Sequence, residues 1–96
     1  MATGKTEKGF CFDVDETKIN SWKTTRLVAC VTDEETDALV VLSATFKLAD
    51  IILGTGKQQE DFIEFLDNYY GREASYEEVL AELFEIYKLA RTDSKN

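Results

Sequence analysis

The 96-residue chain contains no proline and no histidine, and each absence narrows what it can be. Because proline breaks helices, its absence favours uninterrupted helices and argues against a proline-rich linker or ligand segment. Without histidine the commonest general base is missing, so neither a Ser-His-Asp nor a Cys-His catalytic arrangement can be built. No carboxylate falls on an apolar helical face, where burial would raise its pKa. We therefore expect a protein that is not an enzyme and that carries no cofactor.

Cysteine is scarce, with only Cys11 and Cys30 present, both in apolar surroundings and without a CxxC pattern. Two thiols in a chain without histidine are too few for a zinc site. The longest apolar runs are too short to span a bilayer, and no signal-peptide pattern is present. We therefore expect free thiols in a reducing cytoplasm, no bound metal and no membrane association.

Basic residues are outnumbered, since 11 Lys and Arg face 19 Asp and Glu for a net charge of −8. Such a surface repels phosphate backbones, so we expect no nucleic-acid binding. It attracts a basic partner instead. From residue 59 to residue 87 nine acidic residues accompany a single basic one, Arg72. This run is typical of a solvated helical face, and a surface for a basic partner is the alternative.

Glycine is also sparse, and two of the five glycines lie in the segment GTGK, residues 54–57, which has the look of a phosphate-binding loop. That loop needs a first glycine five positions before Gly56 and a hydroxyl residue after its lysine. Ile51 and Gln58 stand there instead. The pattern therefore indicates a helix break, with Gly54 ending one helix and Thr55 capping the next through a box with Gln58.

The N-terminal quarter predicts little helix. Residues 1–8 are polar and are expected to be disordered. In GFCFDVDE, residues 9–16, apolar side chains alternate, which predicts an extended N-terminal arm that either packs against helices of its own chain or pairs with another chain. We favour packing within the chain. Ser21 is a candidate N-cap for a short helix, in which Trp22 is expected to anchor the core.

The remainder predicts helices joined by short turns. Thr32 with Glu35 fits a capping box, and Thr36 is a second candidate cap, for a long helix that ends at Gly54. That helix is apolar nearly all round, which means that it is buried or has a partner. A helix ending at Gly71 and another opened by Ser75 follow. We predict one mainly α domain of about four helices over residues 9–91, with a flexible tail at 92–96.

Several segments together resemble the tail assembly chaperones of long-tailed, siphovirus-type phages and prophages of Gram-positive bacteria. The resemblance rests on the order and spacing of these segments over residues 9–96. They are GFCFDVDE, INSW, LADIILG, QQEDFIEFL, GR and SYEEVLAELFEIYKLA.

This resemblance implies a protein of the host cytoplasm that binds the helical tape measure protein and keeps it soluble while tail tube subunits polymerise around it. In many members a programmed frameshift yields a longer product whose extension is thought to recruit tail tube subunits. The present chain would then be the shorter product. Homo-oligomerisation stays open.

Apolar aromatic side chains on the last two predicted helices are the candidate partner-binding surface. The alternative is that most of them form the core of a small domain. The candidates are Phe62, Phe65, Tyr69, Tyr70, Phe84 and Tyr87.

Two other classes of function remain as alternatives. One is a small acidic phage-encoded inhibitor or DNA mimic, which would need a contiguous acidic face and no exposed apolar groove. The other is a structural head–tail joining or tail completion protein, which would remain in purified particles.

Overall fold

Five helices and one two-stranded hairpin make up the computed structural model, which describes residues 2–94 and the side chains of residues 2–91. The predicted fold class, mainly α with a short extended segment at the N-terminus, is confirmed. In chain order the elements are β1 (Ala2–Lys5), β2 (Cys11–Val14), α1 (Glu16–Ile19), α2 (Trp22–Thr32), α3 (Ala38–Leu53), α4 (Lys57–Tyr70) and α5 (Tyr76–Ser94).

The structure differs from the prediction of disorder for residues 2–8. β1 pairs antiparallel with β2, with Ala2 opposite Val14. A two-stranded ribbon is marginal on its own, but here Phe12 and Val14 are buried in the core shared with the helices. Gly4 makes this packing possible, because a Cβ at that position would lie 2.7 Å from Cζ of Phe12. The polar composition of residues 2–5 gave no indication of this strand, because the strand is stabilised by contacts with β2 and α5.

The predicted N-terminal arm packs within its own chain, as favoured, and β1 supplies the strand partner that the sequence left open. Phe10 contacts two aromatic residues of α4. Its ring lies edge-to-face on Phe62 at 5.2 Å and against Phe65 at 5.6 Å between centroids.

The outer edge of β2 is bonded by the side-chain amide of Gln58, at the start of α4. Its Oε1 accepts a hydrogen bond from the Asp13 N–H at 2.8 Å. Its Nε2 donates to the Asp13 carbonyl at 3.1 Å and to the Leu53 carbonyl at 3.0 Å. The amide thus satisfies part of an exposed strand edge, which would otherwise invite pairing with another chain. It also joins the hairpin to the end of α3.

The core lies between the hairpin and helices α3, α4 and α5. Its fully covered members include Leu48, Phe62, Leu66, Leu83 and Ile86. Helix α2 is peripheral, since Thr24 is its one buried side chain and Leu27 and Val28 only pack against the cluster.

Helix ends that depend on neighbouring residues were predicted correctly. Ser21 accepts a hydrogen bond from the Thr24 N–H at 3.1 Å and caps α2. Ser75 and Glu78 form the predicted capping box, with bonds of 2.8 and 3.2 Å. Gly71 ends α4 in the left-handed conformation, at φ 70°.

Other predicted caps were wrong. The capping box of Thr32 with Glu35 does not form, because α2 runs through Thr32 and the following turn is longer. Asp37 caps α3 instead, accepting from the Leu39 N–H at 2.9 Å. The N-cap of α4 is Gly56, not Thr55, and it makes no side-chain capping bond. The side chain of Gln58, which would complete the predicted capping box, is bonded to β2 instead.

Two further differences concern element limits. Asp15 caps an unpredicted single turn of helix, α1, and Ile19 of that turn is buried. Helix α5 continues to Ser94, so most of the tail predicted at 92–96 is helical, and residues 95 and 96 lie outside the described part of the chain.

Candidate functional site: an apolar groove between α2 and α3

Helices α2 and α3 form an antiparallel hairpin, joined by a turn over residues 33–37, that packs on the core through α3. The inner side of α3 is covered, with Leu48 and Ile52 exposed by 3% or less. Its outer side is not, since Leu39 is 75% and Phe46 is 64% exposed. A helix that is apolar nearly all round therefore keeps one apolar side in contact with water.

Trp22 lies at the open end of this hairpin and is 78% exposed, so the prediction that it anchors the core is wrong. The N-terminal cap of α2 explains the difference. Thr24 is fully buried and donates its hydroxyl to the Lys18 carbonyl at 2.6 Å, while Ser21 caps the helix. These bonds fix the rotation of α2 about its axis, and Trp22, the first helical residue, then points into solvent.

A groove of about 580 Å³ runs between the two helices on this outer side. Apolar atoms form most of its surface, and half-buried Cys30, a free thiol, lies within it. The lining residues are Trp22, Lys23, Arg26, Leu27, Cys30, Leu39, Val40, Ser43, Ala44 and Lys47.

All charged side chains in the lining are basic, namely Lys23, Arg26 and Lys47. None of the three is ion-paired with a carboxylate of residues 2–91. The other eight basic residues of the chain are outnumbered by 19 acidic ones. The groove is therefore a local positive surface on a strongly negative protein. Acidic residues of the 33–37 turn lie beyond its Cys30 end.

The six sequence-predicted aromatic residues do not form one surface. Phe62 is 1% exposed and belongs to the core. Phe65, Tyr69 and Tyr70 form a row along α4, with ring centroids 6.4 and 5.1 Å apart. Tyr69 is 54% exposed, so it is the member of this row that a partner could reach most easily. Cations lie over two of these rings, Lys8 over Tyr69 at 5.5 Å and Arg72 over Tyr70 at 5.2 Å.

Phe84 and Tyr87 lie elsewhere, beside a cleft of about 430 Å³ between α5 and the end of α2. Tyr87 is 6% exposed and belongs mainly to the core. Its hydroxyl accepts a hydrogen bond from Nη1 of Arg91 at 3.1 Å. Its position suits packing between helices more than contact with a partner.

Sequence reasoning missed the groove residues, although one signal was present. The nearly continuous hydrophobicity of α3 indicated a buried or partnered helix, without saying which side was left open. Trp22 carried no such signal, because a lone tryptophan beside an N-cap reads equally as a core residue.

The burial of Glu82 also differs from the sequence-based expectation. Its side chain is only 2% exposed, although no carboxylate was expected on a buried helix face. Lys8 Nζ lies 3.8 Å from its Oε1, and Oε2 has no hydrogen-bond partner. Burial lowers the pKa of Lys8, but the carboxylate of Glu82, aided by nearby tyrosines and Glu85, raises it by more. The net effect is a raised pKa for Lys8 beside the buried acid.

The GTGK segment forms structural contacts. Gly54 ends α3 at φ 78°, and Lys57 pairs with Asp61 at 2.9 Å. Within the described residues no group of three or more Asp, Glu or Cys side chains is placed to hold a metal ion. Across the same residues no single helix is long and apolar enough to cross a membrane. The pair of α3 and α4, bent by 112°, passes that test together by length and composition only.

Comparison of the chain with family models, with curated proteins and with solved structures found no match.

Proposed function

We propose that this protein is a binding protein whose α2–α3 groove covers an apolar helical segment of a larger client. The observation that carries the proposal is the exposure of Trp22, Leu39 and Val40 along one groove of an otherwise strongly acidic chain. Contiguous exposed apolar surface of this kind is typical of protein interaction sites.

The length of the groove suits one partner helix. Helix α2 has 11 residues and is therefore roughly 16 Å long. A partner helix lying along it would contribute about three turns, with side chains at i, i+3, i+4 and i+7 inserted between α2 and α3. Trp22 and Leu39 would flank that row.

Together with the resemblance to tail assembly chaperones, this geometry leads us to propose the tape measure protein as the client. A tape measure protein presents long apolar helical faces that aggregate when bare, and the net charge of −8 would keep a complex soluble. On this proposal the chain acts in the host cytoplasm, without catalysis. Tail tube subunits are engaged indirectly, through a longer frameshift product.

The groove favours this proposal over an acidic inhibitor, which would require a contiguous acidic face without exposed apolar surface. A structural tail component would also expose apolar surface, so it is separated by experiment. It would remain in purified particles, whereas a chaperone would be absent from them.

Co-expression tests the proposal. The chain is produced together with the long coiled-coil-like protein encoded downstream of its gene, and the soluble fraction of that protein is measured. Variant Val40→Glu places a charge in the groove at a half-exposed position, and Ile63→Glu does so on α4, outside the groove. We expect the client to be soluble and to co-purify with the wild type and Ile63→Glu, but not with Val40→Glu.

Two results would contradict the proposal. If the client stays insoluble with the wild-type chain, the chaperone function is wrong. If Val40→Glu supports the client as well as Ile63→Glu does, the groove is not the client site.

A further inference from the structure

We infer that the segment bound in the α2–α3 groove is an amphipathic helix whose apolar stripe is flanked by carboxylates. This inference rests on the proposed function, since it specifies the chemistry of the partner at the same groove. The observation behind it is the charge of the lining, in which Lys23, Arg26 and Lys47 are the charged members.

The position of these cations suits a helix that lies along the groove. Lys23 and Arg26 are three residues apart on α2, so they project from neighbouring turns of one face. Lys47 projects from the opposite wall, on α3. A helix bound between the walls would therefore meet cations on both sides of its apolar stripe.

The absence of ion pairs for these cations within residues 2–91 strengthens the argument. Elsewhere on this acidic chain, Lys57 pairs with Asp61 and Arg72 with Glu78. The three cations at the groove lack such partners although acidic residues are in excess. An incoming segment with carboxylates at these places would gain ion pairs without breaking existing ones, whereas a basic segment would meet like charge.

The same charges also predict the register of the segment. The turn over residues 33–37, which joins α2 to α3, carries four acidic residues and lies at the opposite end of the groove from Trp22. Carboxylates of the partner are therefore expected beside the half of the groove that contains Trp22 and Lys47. They are not expected beside the turn.

The experiment uses two synthetic helical peptides of about 14 residues, long enough for the groove. Both have leucine at i, i+3, i+4 and i+7 and lack tryptophan. Glutamate flanks the stripe in one peptide and lysine in the other. Because Trp22 is the sole tryptophan, its emission reports on the groove directly. Binding is measured by the blue shift of that emission and by anisotropy of a fluorophore on the peptide.

We expect the glutamate peptide to shift the emission of Trp22 and to bind at least about tenfold more tightly than the lysine peptide at low salt. The triple variant Lys23→Gln, Arg26→Gln, Lys47→Gln should bind the glutamate peptide about tenfold more weakly than the wild type does. The control variant Lys5→Gln, Lys57→Gln, Lys88→Gln changes the net charge by the same amount at exposed positions outside the groove. It should bind the glutamate peptide as tightly as the wild type does.

Preferential binding of the lysine peptide to the wild-type chain would overturn the inference, because it would show attraction by the overall negative charge. Equal binding of both peptides with the blue shift would also overturn it, while leaving an apolar groove that binds helices. Equal loss in both triple variants would show that net charge, not the groove cations, governs affinity. The co-expression result tests the proposed function independently of all three.

Discussion

Trp22→Ala tests the groove most directly, because Trp22 is the most exposed large apolar side chain among residues 2–91 and lies in the groove lining. Since its ring is 78% exposed, truncation removes little packing. Alanine is also a better helix former at this first position of α2. We therefore expect the free energy of unfolding to change by no more than about 0.5 kcal/mol.

The effect on binding should be much larger. A tryptophan side chain buries roughly 200 Å² when covered, so its exposed fraction leaves about 150 Å² for a partner to cover. At about 25 cal/mol per Å² this corresponds to ~4 kcal/mol as an upper bound, part of which is offset by the ordering of side chains. We expect truncation to cost about 2 kcal/mol, as at interface hot spots, and to raise Kd about 30-fold.

The assay is titration of a labelled glutamate-flanked peptide by anisotropy, with urea denaturation of each variant in parallel. Tyr69→Ala is the matched comparison, since Tyr69 is an exposed aromatic residue on α4, outside the groove, and was a predicted partner residue. A change in Kd of less than about threefold for Trp22→Ala would refute the argument. A larger loss for Tyr69→Ala would move the client surface to the aromatic row of α4.

Three further predictions concern stability. Gln58→Ala removes three hydrogen bonds between β2, α3 and α4, so the free energy of unfolding should fall by about 2 kcal/mol in urea denaturation. Glu82→Leu replaces a buried carboxylate, one oxygen of which is unpaired, by an apolar side chain of similar size. Because Lys8 is partly exposed and stays hydrated, the free energy of unfolding should rise by about 1 kcal/mol. The hydrogen bonds to Arg72 and then to Ser75 lower the pKa of Glu78 from 4.5 to about 2. The ionised form is therefore favoured in the folded state, so its stabilisation is present above pH 4.5 and is lost as pH falls towards 2. Arg72→Ala should lower stability at pH 6, and the difference from wild type should shrink towards pH 2, where the contacts of Arg72 with the Tyr70 ring and the Glu73 carbonyl remain.

Each of these predictions has a control. Gln59→Ala breaks bonds to Asp50 and Gly54 at an exposed turn and should cost less than Gln58→Ala; equal costs would contradict the role of the β2 edge. Glu85→Leu makes the same change at a carboxylate that accepts a hydrogen bond from the Glu7 N–H, and it should not stabilise.

Loss of stability in Glu82→Leu would show that the buried carboxylate is better satisfied than its contacts indicate. For Arg72→Ala, a stability difference from wild type that is as large at pH 2 as at pH 6 would show packing rather than charge to be the cause. Lys57→Ala, which removes another exposed ion pair, serves as its comparison.

The helices could be predicted because their signals act over a few residues. The capping box of Ser75 with Glu78 and the left-handed Gly71 need only neighbours in the chain, and the structure contains both. Where a capping residue is engaged by a distant segment, the same reasoning fails. Gln58 fits a capping box with Thr55 in sequence, yet in the fold it bonds the hairpin.

The strand β1 and the buried carboxylate of Glu82 depend on contacts that no local pattern shows. Residues 2–5 read as polar, but Gly4 leaves space for the ring of Phe12 and allows the strand to pair. Glu82 reads as part of a polar helical face. It is buried in the fold, where β1 packs against α5 and Lys8, from the turn that follows β1, lies 3.8 Å from the carboxylate.

By itself the sequence determined that α3 is either buried or partnered, because its apolar residues occupy nearly every side of the helix. Only the tertiary structure decided which side remains open. The hydrogen bonds of Ser21 and Thr24 set the rotation of α2 and direct Trp22 outward. Meanwhile the β1–β2 hairpin, α4 and α5 cover the opposite side of α3. The groove therefore lies on the side of α3 that faces α2, and residues of these two helices line it.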